Sequence, residues 1–272
     1  MSNDPRLPSD EPSSAGPAPG WYPDGTGGTR WWDGTRWGQS APQPPAQAPA
    51  QPYGTTGTLD PGAAFSYGWK KFQEYAKEFI VMVVVVALIS LVGFLVAFLA
   101  LVPALSGNTT GAIVGWVLYL FAIVAVVAIS FVVQAGVYRA GLGVTRGIAP
   151  SLSMLVEKEN LGTYIVTVLL VSVAYFVGFI LCILPGIAVL VFTAYAPLIA
   201  LDKGVGPVDA IKQSVELVRH NLGPVFLLLL LSYAVYYIGS LACYVGLVVS
   251  IPVALVMITY SYRVLINEPI TP

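Results

Sequence analysis

Charge is what this chain has least of. Only 10% of its 272 residues are Asp, Glu, Lys or Arg, against about a quarter in an ordinary soluble domain, which excludes a soluble globule for most of its length. Histidine occurs once and cysteine twice, too few for a tetrahedral zinc site built from Cys and His alone. Thirteen Lys and Arg against 14 Asp and Glu leave no basic excess for a nucleic-acid partner. No G-x-S-x-G elbow and no G-x-x-x-x-G-K-[ST] loop occurs. Gly141-x-Gly143-x-x-x-Gly147 misses the dinucleotide spacing and reads as the flexible exit of an apolar helix. No catalytic residue set, cofactor or metal is expected. What is present in excess, 56% hydrophobic residues, is the composition of a multi-span membrane protein.

The charges are missing in three blocks. Residues 79–138, 160–201 and 221–262 contain no Asp, Glu, Lys or Arg. A helix crosses the hydrocarbon in about 20 residues, so each block holds two spans. The reading is an all-α polytopic membrane protein of six transmembrane helices, at about 79–105, 112–138, 162–183, 186–201, 223–240 and 243–263, within a membrane domain of residues 61–268. They form three hairpins, broken at residues 106–110, at Leu184-Pro185-Gly186 and near residues 240–246. The hairpin tips carry no charge, whereas Lys70, Lys71, Lys77, Arg139, Arg146, Lys158, Lys203, Lys212, Arg219 and Arg263 all lie before, between or after the hairpins. The positive-inside rule then puts both termini in the cytoplasm and the protein in the cell membrane. Gln134, Ser130, Thr167, Ser172 and Ser232 are the polar residues inside spans and read as interhelical hydrogen-bonding groups. The absence of ionisable groups there argues against an ion-coupled pump.

The connectors read as amphipathic helices. Asp60-Pro61 gives an N-cap followed by Pro at the first helical position, and Phe65, Trp69, Phe72, Ala76 and Phe79 then fall at helical spacing, with Lys70, Lys71, Glu74 and Lys77 elsewhere. Val208, Ile211, Val215 and Val218 repeat the pattern against Asp209, Lys212, Glu216 and Arg219. An internal repeat runs at an offset of 61. It superposes Asn160-Leu161-Gly162 on Asn221-Leu222-Gly223, Tyr175 on Tyr236, Gly178 on Gly239 and Cys182 on Cys243. Cys182 and Cys243 both fall near outward tips, where a disulfide persists. A disulfide is one reading of the pair and two small apolar residues the other.

The first 60 residues hold more than half of the chain's Pro and no apolar run able to nucleate a core. Residues 1–19 are expected to be disordered, 38–60 to be a Pro/Ala/Gln-rich linker, and the start lacks the basic-then-apolar order of a secretory signal. Between them, residues 20–37 hold four of the six Trp. Asp33-Gly34 predicts a two-residue type I′ hairpin turn, pairing Trp32 with Thr35, Trp31 with Arg36 and Arg30 with Trp37. Trp21 and Tyr22 are placed to pack on the hairpin, and Pro23-Asp24-Gly25 reads as a turn. Trp21, Tyr22, Arg30, Trp31, Trp32, Arg36 and Trp37 are the candidate partner-binding residues.

Gly20-Trp21-Tyr22-Pro23-Asp24, the spacer, Arg30-Trp31-Trp32-Asp33-Gly34 and Trp37 resemble a short Trp-rich domain of unknown function found at the N-termini of many actinobacterial membrane proteins. Gly25 departs from that pattern, which usually has a second Pro there. Leu184-Pro185-Gly186, residues 192–201 and Asp209-Ala210-Ile211-Lys212-Gln213-Ser214 are similar to multi-span bacterial families of unknown function related to the membrane part of certain glycerophosphodiester phosphodiesterases. The catalytic barrel of those enzymes has no counterpart here, so the likeness implies no activity. The expected function is a non-enzymatic membrane anchor or scaffold that presents the Trp-rich module to a cytoplasmic or envelope protein. A transporter or lipid-handling component is the alternative, and an intramembrane enzyme a third.

Overall fold

The computed structural model describes residues 19–23, 29–40, 58–241 and 245–272. The chain divides into two units, Met1–Gln51 and Pro52–Pro272. The tail at 1–18, the turn proposed after Pro23 and most of the linker lie outside the described residues.

In the first unit, β1 (Gly20–Pro23), β2 (Thr29–Trp32) and β3 (Trp37–Ser40) form an antiparallel sheet in that order. The expected hairpin register is wrong: Trp32 pairs with Trp37 and, across an irregularity, Arg30 with Ser40. Asp33 is the cause. Its Oδ1 accepts from the backbone N–H of Thr35 at 2.7 Å, from that of Arg36 at 2.6 Å and from the Thr35 hydroxyl at 2.9 Å. This Asx-type turn moves the loop to Gly34-Thr35, with Gly34 at φ +100°. The same N–H donors, Arg36 first, hold the Asp33 carboxyl below its ordinary range. On its other edge β2 pairs with β1, which sets Trp31 opposite Trp21 and Arg30 opposite Tyr22. The sheet also runs three residues past the expected domain end at Trp37.

The second unit is helical: α1 (Pro61–Glu74), α2 (Ala76–Ala100), α3 (Thr109–Thr145), α4 (Leu161–Leu181), α5 (Ile183–Phe192), α6 (Ala196–Lys203), α7 (Pro207–His220), α8 (Leu222–Leu241) and α9 (Leu247–Leu265). Six stretches are long and apolar enough to cross a membrane: Ala76–Ser106, Thr109–Thr145, Leu161–Leu181, Ile183–Lys203, Leu222–Leu241 and Leu247–Leu265. Asn108 starts α3 by accepting from Gly111 N at 2.7 Å, after Gly107 has reversed the chain at φ +74°. Asp60 caps α1 as expected, accepting from Gly62 N at 3.0 Å and Ala63 N at 3.1 Å.

The helical stretches run past the charge-free blocks and take in Lys77, Glu78, Arg139, Asp202, Lys203 and Arg263 at their ends. Two expectations are corrected. The break after α4 falls at Cys182, not at Leu184–Gly186. Pro185 sits in the first turn of α5, where its missing N–H costs no helical hydrogen bond. Gly141 is a packing contact and not a flexible exit: a Cβ there would lie 2.8 Å from Thr259 Cγ2 and 3.0 Å from Leu255 Cγ on α9. Gly147, at φ +78°, ends the helix region.

The connector helices pack on the body through a mixture of small, apolar and polar residues. On α1 the buried residues are Ala64, Tyr67, Gly68, Lys71 and Phe72, whereas Phe65 and Trp69 are exposed. Gly68 lets α1 lie on α9, since a Cβ there would meet Val253 O at 2.9 Å. Lys71 is tolerated inside because its Nζ donates to Glu74 Oε2 and to Pro272 O, each at 2.8 Å. On α7 the buried face is Ala210, Ser214 and Val218, and Val208 is exposed. Small residues set both contacts, a signal that counting large apolar side chains misses.

Candidate functional site

Two polar centres and one apolar groove stand out in the helical unit. The first centre lies at the broken span. Between α5 and α6 the helix stops at Thr193, and Ser214 of α7 meets the interruption. Its hydroxyl donates to Phe192 O at 2.8 Å and accepts from Tyr195 N at 3.2 Å. Backbone groups released by a helix break in an apolar setting need such partners. The Tyr195 hydroxyl in turn shares a hydrogen bond with Ser261 Oγ at 2.9 Å, tying the break to α9.

The second centre is ionic. Asp202, at the end of α6, accepts from Arg263 of α9 at 2.9 Å, from Arg146 after α3 at 2.6 Å and from the Tyr262 hydroxyl at 3.2 Å. Arg263 also pairs with Glu268. The side chains of Arg263 and Asp202 are 1% and 4% exposed, so this pair is desolvated, and the further bonds from Arg146 and Tyr262 and to Glu268 offset that cost. In the sequence Arg263 and Arg146 read as connector cations; the structure gives them a shared acceptor. The signal was available only in hindsight: Asp202 stands immediately after a charge-free block, as Arg263 does.

A cavity of 360 Å³ opens beside this cluster, lined by Arg139, Arg146, Ser151, Ser153, Glu157, Asn160 and Asp202 among others. Arg139 is spent on structure, donating to Glu157 O at 2.6 Å and to Glu159 O. These bonds hold the segment between α3 and α4. Arg139 Nε also faces Glu157 Oε2 at 3.7 Å, and the Ser151 and Ser153 hydroxyls share a hydrogen bond at 2.8 Å. The arrangement ties helix ends together.

The groove is larger, 640 Å³, and lies between α2 and α3 with Ile251 of α9 contributing. Its walls are apolar apart from Ser90, Ser130 and Gln134. Both serines bond back to their own helices, Ser90 to Val86 O and Ser130 to Val126 O, each at 2.8 Å. Gln134 Oε1 accepts from Tyr164 of α4 at 2.9 Å, the interhelical role expected of it. Thr167 bonds to Thr163 O at 2.7 Å within α4. Ser232 Oγ is buried without a partner, as are Ser250 Oγ and Arg263 Nε, among the described residues.

Of the candidate partner-binding residues, Trp31 is 40% exposed, Tyr22 and Trp32 are half-buried, and Arg36 is exposed. Trp21, Arg30 and Trp37 are placed by strand register alone. The sheet therefore sets two Trp pairs against each other, Trp21 with Trp31 and Trp32 with Trp37. Cys182 is exposed at the α4–α5 junction, and Cys243 lies outside the described residues.

Residues 135–267 match the family described as Domain of unknown function (DUF7847); the match starts beyond the Trp-rich segment. The chain is 30% identical over 220 residues to "Uncharacterized protein Rv2560" of Mycobacterium tuberculosis (strain ATCC 25618 / H37Rv), covering 74% of this chain and 67% of that protein. The same figures hold for "Uncharacterized protein Mb2590" of Mycobacterium bovis (strain ATCC BAA-935 / AF2122/97). No solved structure matches.

Proposed function

The chain belongs to the same family as these mycobacterial proteins, and we propose that it is a multi-pass cell-membrane scaffold that offers its Trp-rich sheet to a protein partner. In this reading the six apolar stretches form three hairpins with both termini cytoplasmic, and the body has no enzymatic role. The observation that carries it is the division of the chain into a helical unit and a separate sheet set with paired Trp. Aromatic residues on so small a sheet exceed what its own folding requires, and exposed aromatics mark contact surfaces. Packing of α2 on α3, α4 on α5 and α8 on α9 supports the hairpins. Gly178 against Gly186 and Gly239 against Ser250 support the internal repeat, since equivalent glycines sit at equivalent helix contacts.

The test is in-cell crosslinking and affinity purification of the full-length protein beside a Trp31→Ala/Trp32→Ala variant. The reading expects a discrete partner that the variant loses while remaining in the membrane fraction. Identical protein profiles for the two, with normal cell phenotype after deletion of the tail, would reject it. A lipid-handling role is the second reading, favoured by the apolar groove between α2 and α3.

A further inference from the structure

We propose that the α2–α3 groove holds one acyl chain of an ester-linked membrane lipid, with the Gln134 amide donating to the ester carbonyl. This rests on the lipid-handling reading and on α2 and α3 being membrane spans; it does not involve the Trp-rich sheet.

The occupant follows from dimensions and from one unspent donor. The groove follows α3 from Ala122 to Val137 and α2 from Val86 to Val96. From Ala122 to Gln134 is about 18 Å at 1.5 Å per residue, close to one leaflet's share, about 15 Å, of a hydrocarbon core about 30 Å thick. A volume of 640 Å³ is within the range of small-ligand sites. Gly93 sets the local helix spacing, for a Cβ there would come 3.1 Å from Val126 Cγ2.

Gln134 stands at the groove end nearer the charged residues, five residues before Arg139 and so about 7 to 8 Å along the axis from it. With Arg139 at the headgroup level, Gln134 lies where ester carbonyls meet the acyl chains. Tyr164 occupies Oε1, and the planar amide then turns Nε2 away from α4. Gln134 is exposed and lines the groove, and among the described residues nothing accepts from its Nε2. An amide donor facing hydrocarbon without an acceptor is unfavourable. A helix from a second copy would cover the groove as well, and the oligomeric state read below separates that occupant from a lipid. A lipid ester supplies both the chain and the acceptor.

The experiment is native mass spectrometry of the full-length protein, delipidated in mild detergent and re-supplied with diacyl or dialkyl-ether phosphatidylglycerol of equal chain length. Wild type is expected to retain the ester lipid about fivefold better than the ether, the equivalent of one net hydrogen bond. Gln134→Leu should abolish that preference, and Tyr164→Phe, which frees the amide without removing it, should reduce it. Ala125→Trp, filling the groove, should lower retention of both lipids, whereas Val173→Trp on the exposed face of α4 should not. Equal retention of ester and ether by wild type, or full retention by Ala125→Trp, would overturn the proposal. So would a change of oligomeric state in place of lipid loss. Release of the protein from membranes by alkaline carbonate would instead show that the membrane-spanning reading had failed.

Discussion

Along α3 the two ends of one helix have opposite surroundings. Phe121 is 72% exposed and Val124 68%, whereas Ala135, Ala140, Val144 and Thr145 are fully buried. The division recurs in the other long helices. Phe79 and Met82 at the start of α2 are buried, but Phe94 and Phe98 further on are not. Val225 and Leu228 of α8 are buried, but Tyr237 and Ile238 are not. The helix ends joined to charged connectors form a protein core with most of its charged groups paired, and the far halves expose a largely apolar surface. A surface of that extent is incompatible with water and suited to lipid. The lesson is that hydrophobicity alone does not locate the core. Small residues and buried polar pairs do.

The contrast can be broken most sharply at Asp202. Asp202→Ala leaves Arg263 buried without its main acceptor and is expected to cost about 3 to 5 kcal/mol in thermal or denaturant unfolding in detergent. The double variant with Arg263→Met should recover most of the loss. Next is Ser214→Val, which strips Phe192 O and Tyr195 N of their partner and should cost about 1 to 3 kcal/mol in the same assay. Glu74 tests the polar edge of the packed end. The Lys71 hydrogen bond holds its carboxyl below the ordinary range. Its stabilising contribution is therefore present at neutral pH and lost as pH falls through the lowered value. Glu74→Gln should be slightly less stable than wild type at pH 7, with the gap closing in acid. The smallest effect is expected in the far half, where Phe121→Ala should stay within about 0.5 kcal/mol. A loss comparable to that of Ser214→Val would mean that Phe121 is covered by protein.

Much of the helical unit was legible because charge-free blocks and span lengths leave little choice: the six stretches and the Asp60 cap follow from local chemistry. What was not legible depends on contacts distant in sequence. Lys71 reads as a connector cation because nothing nearby in the chain announces Pro272 as its partner. Asp202 and Arg263 are 61 residues apart and looked like two ordinary connector charges. In the sheet, Asp33-Gly34 correctly marked a turn, but the Asp33 side chain accepts from Thr35 and Arg36 and shifts the register. Of the candidate sites, the Trp cluster was visible from composition. The groove was not, because its apolar lining resembles every other span, and only Gln134 stood out.

The central claim is that the exposed far half lies in the bilayer with the packed, charged end on the cytoplasmic side. Single-cysteine labelling tests it most directly. In a background of Cys182→Ser and Cys243→Ser, Asn108→Cys and Lys212→Cys are each exposed in intact cells to a membrane-impermeant maleimide. Asn108→Cys is expected to label at once, and Lys212→Cys only after permeabilisation. The reverse pattern, or equal labelling of both in intact cells, would contradict the account.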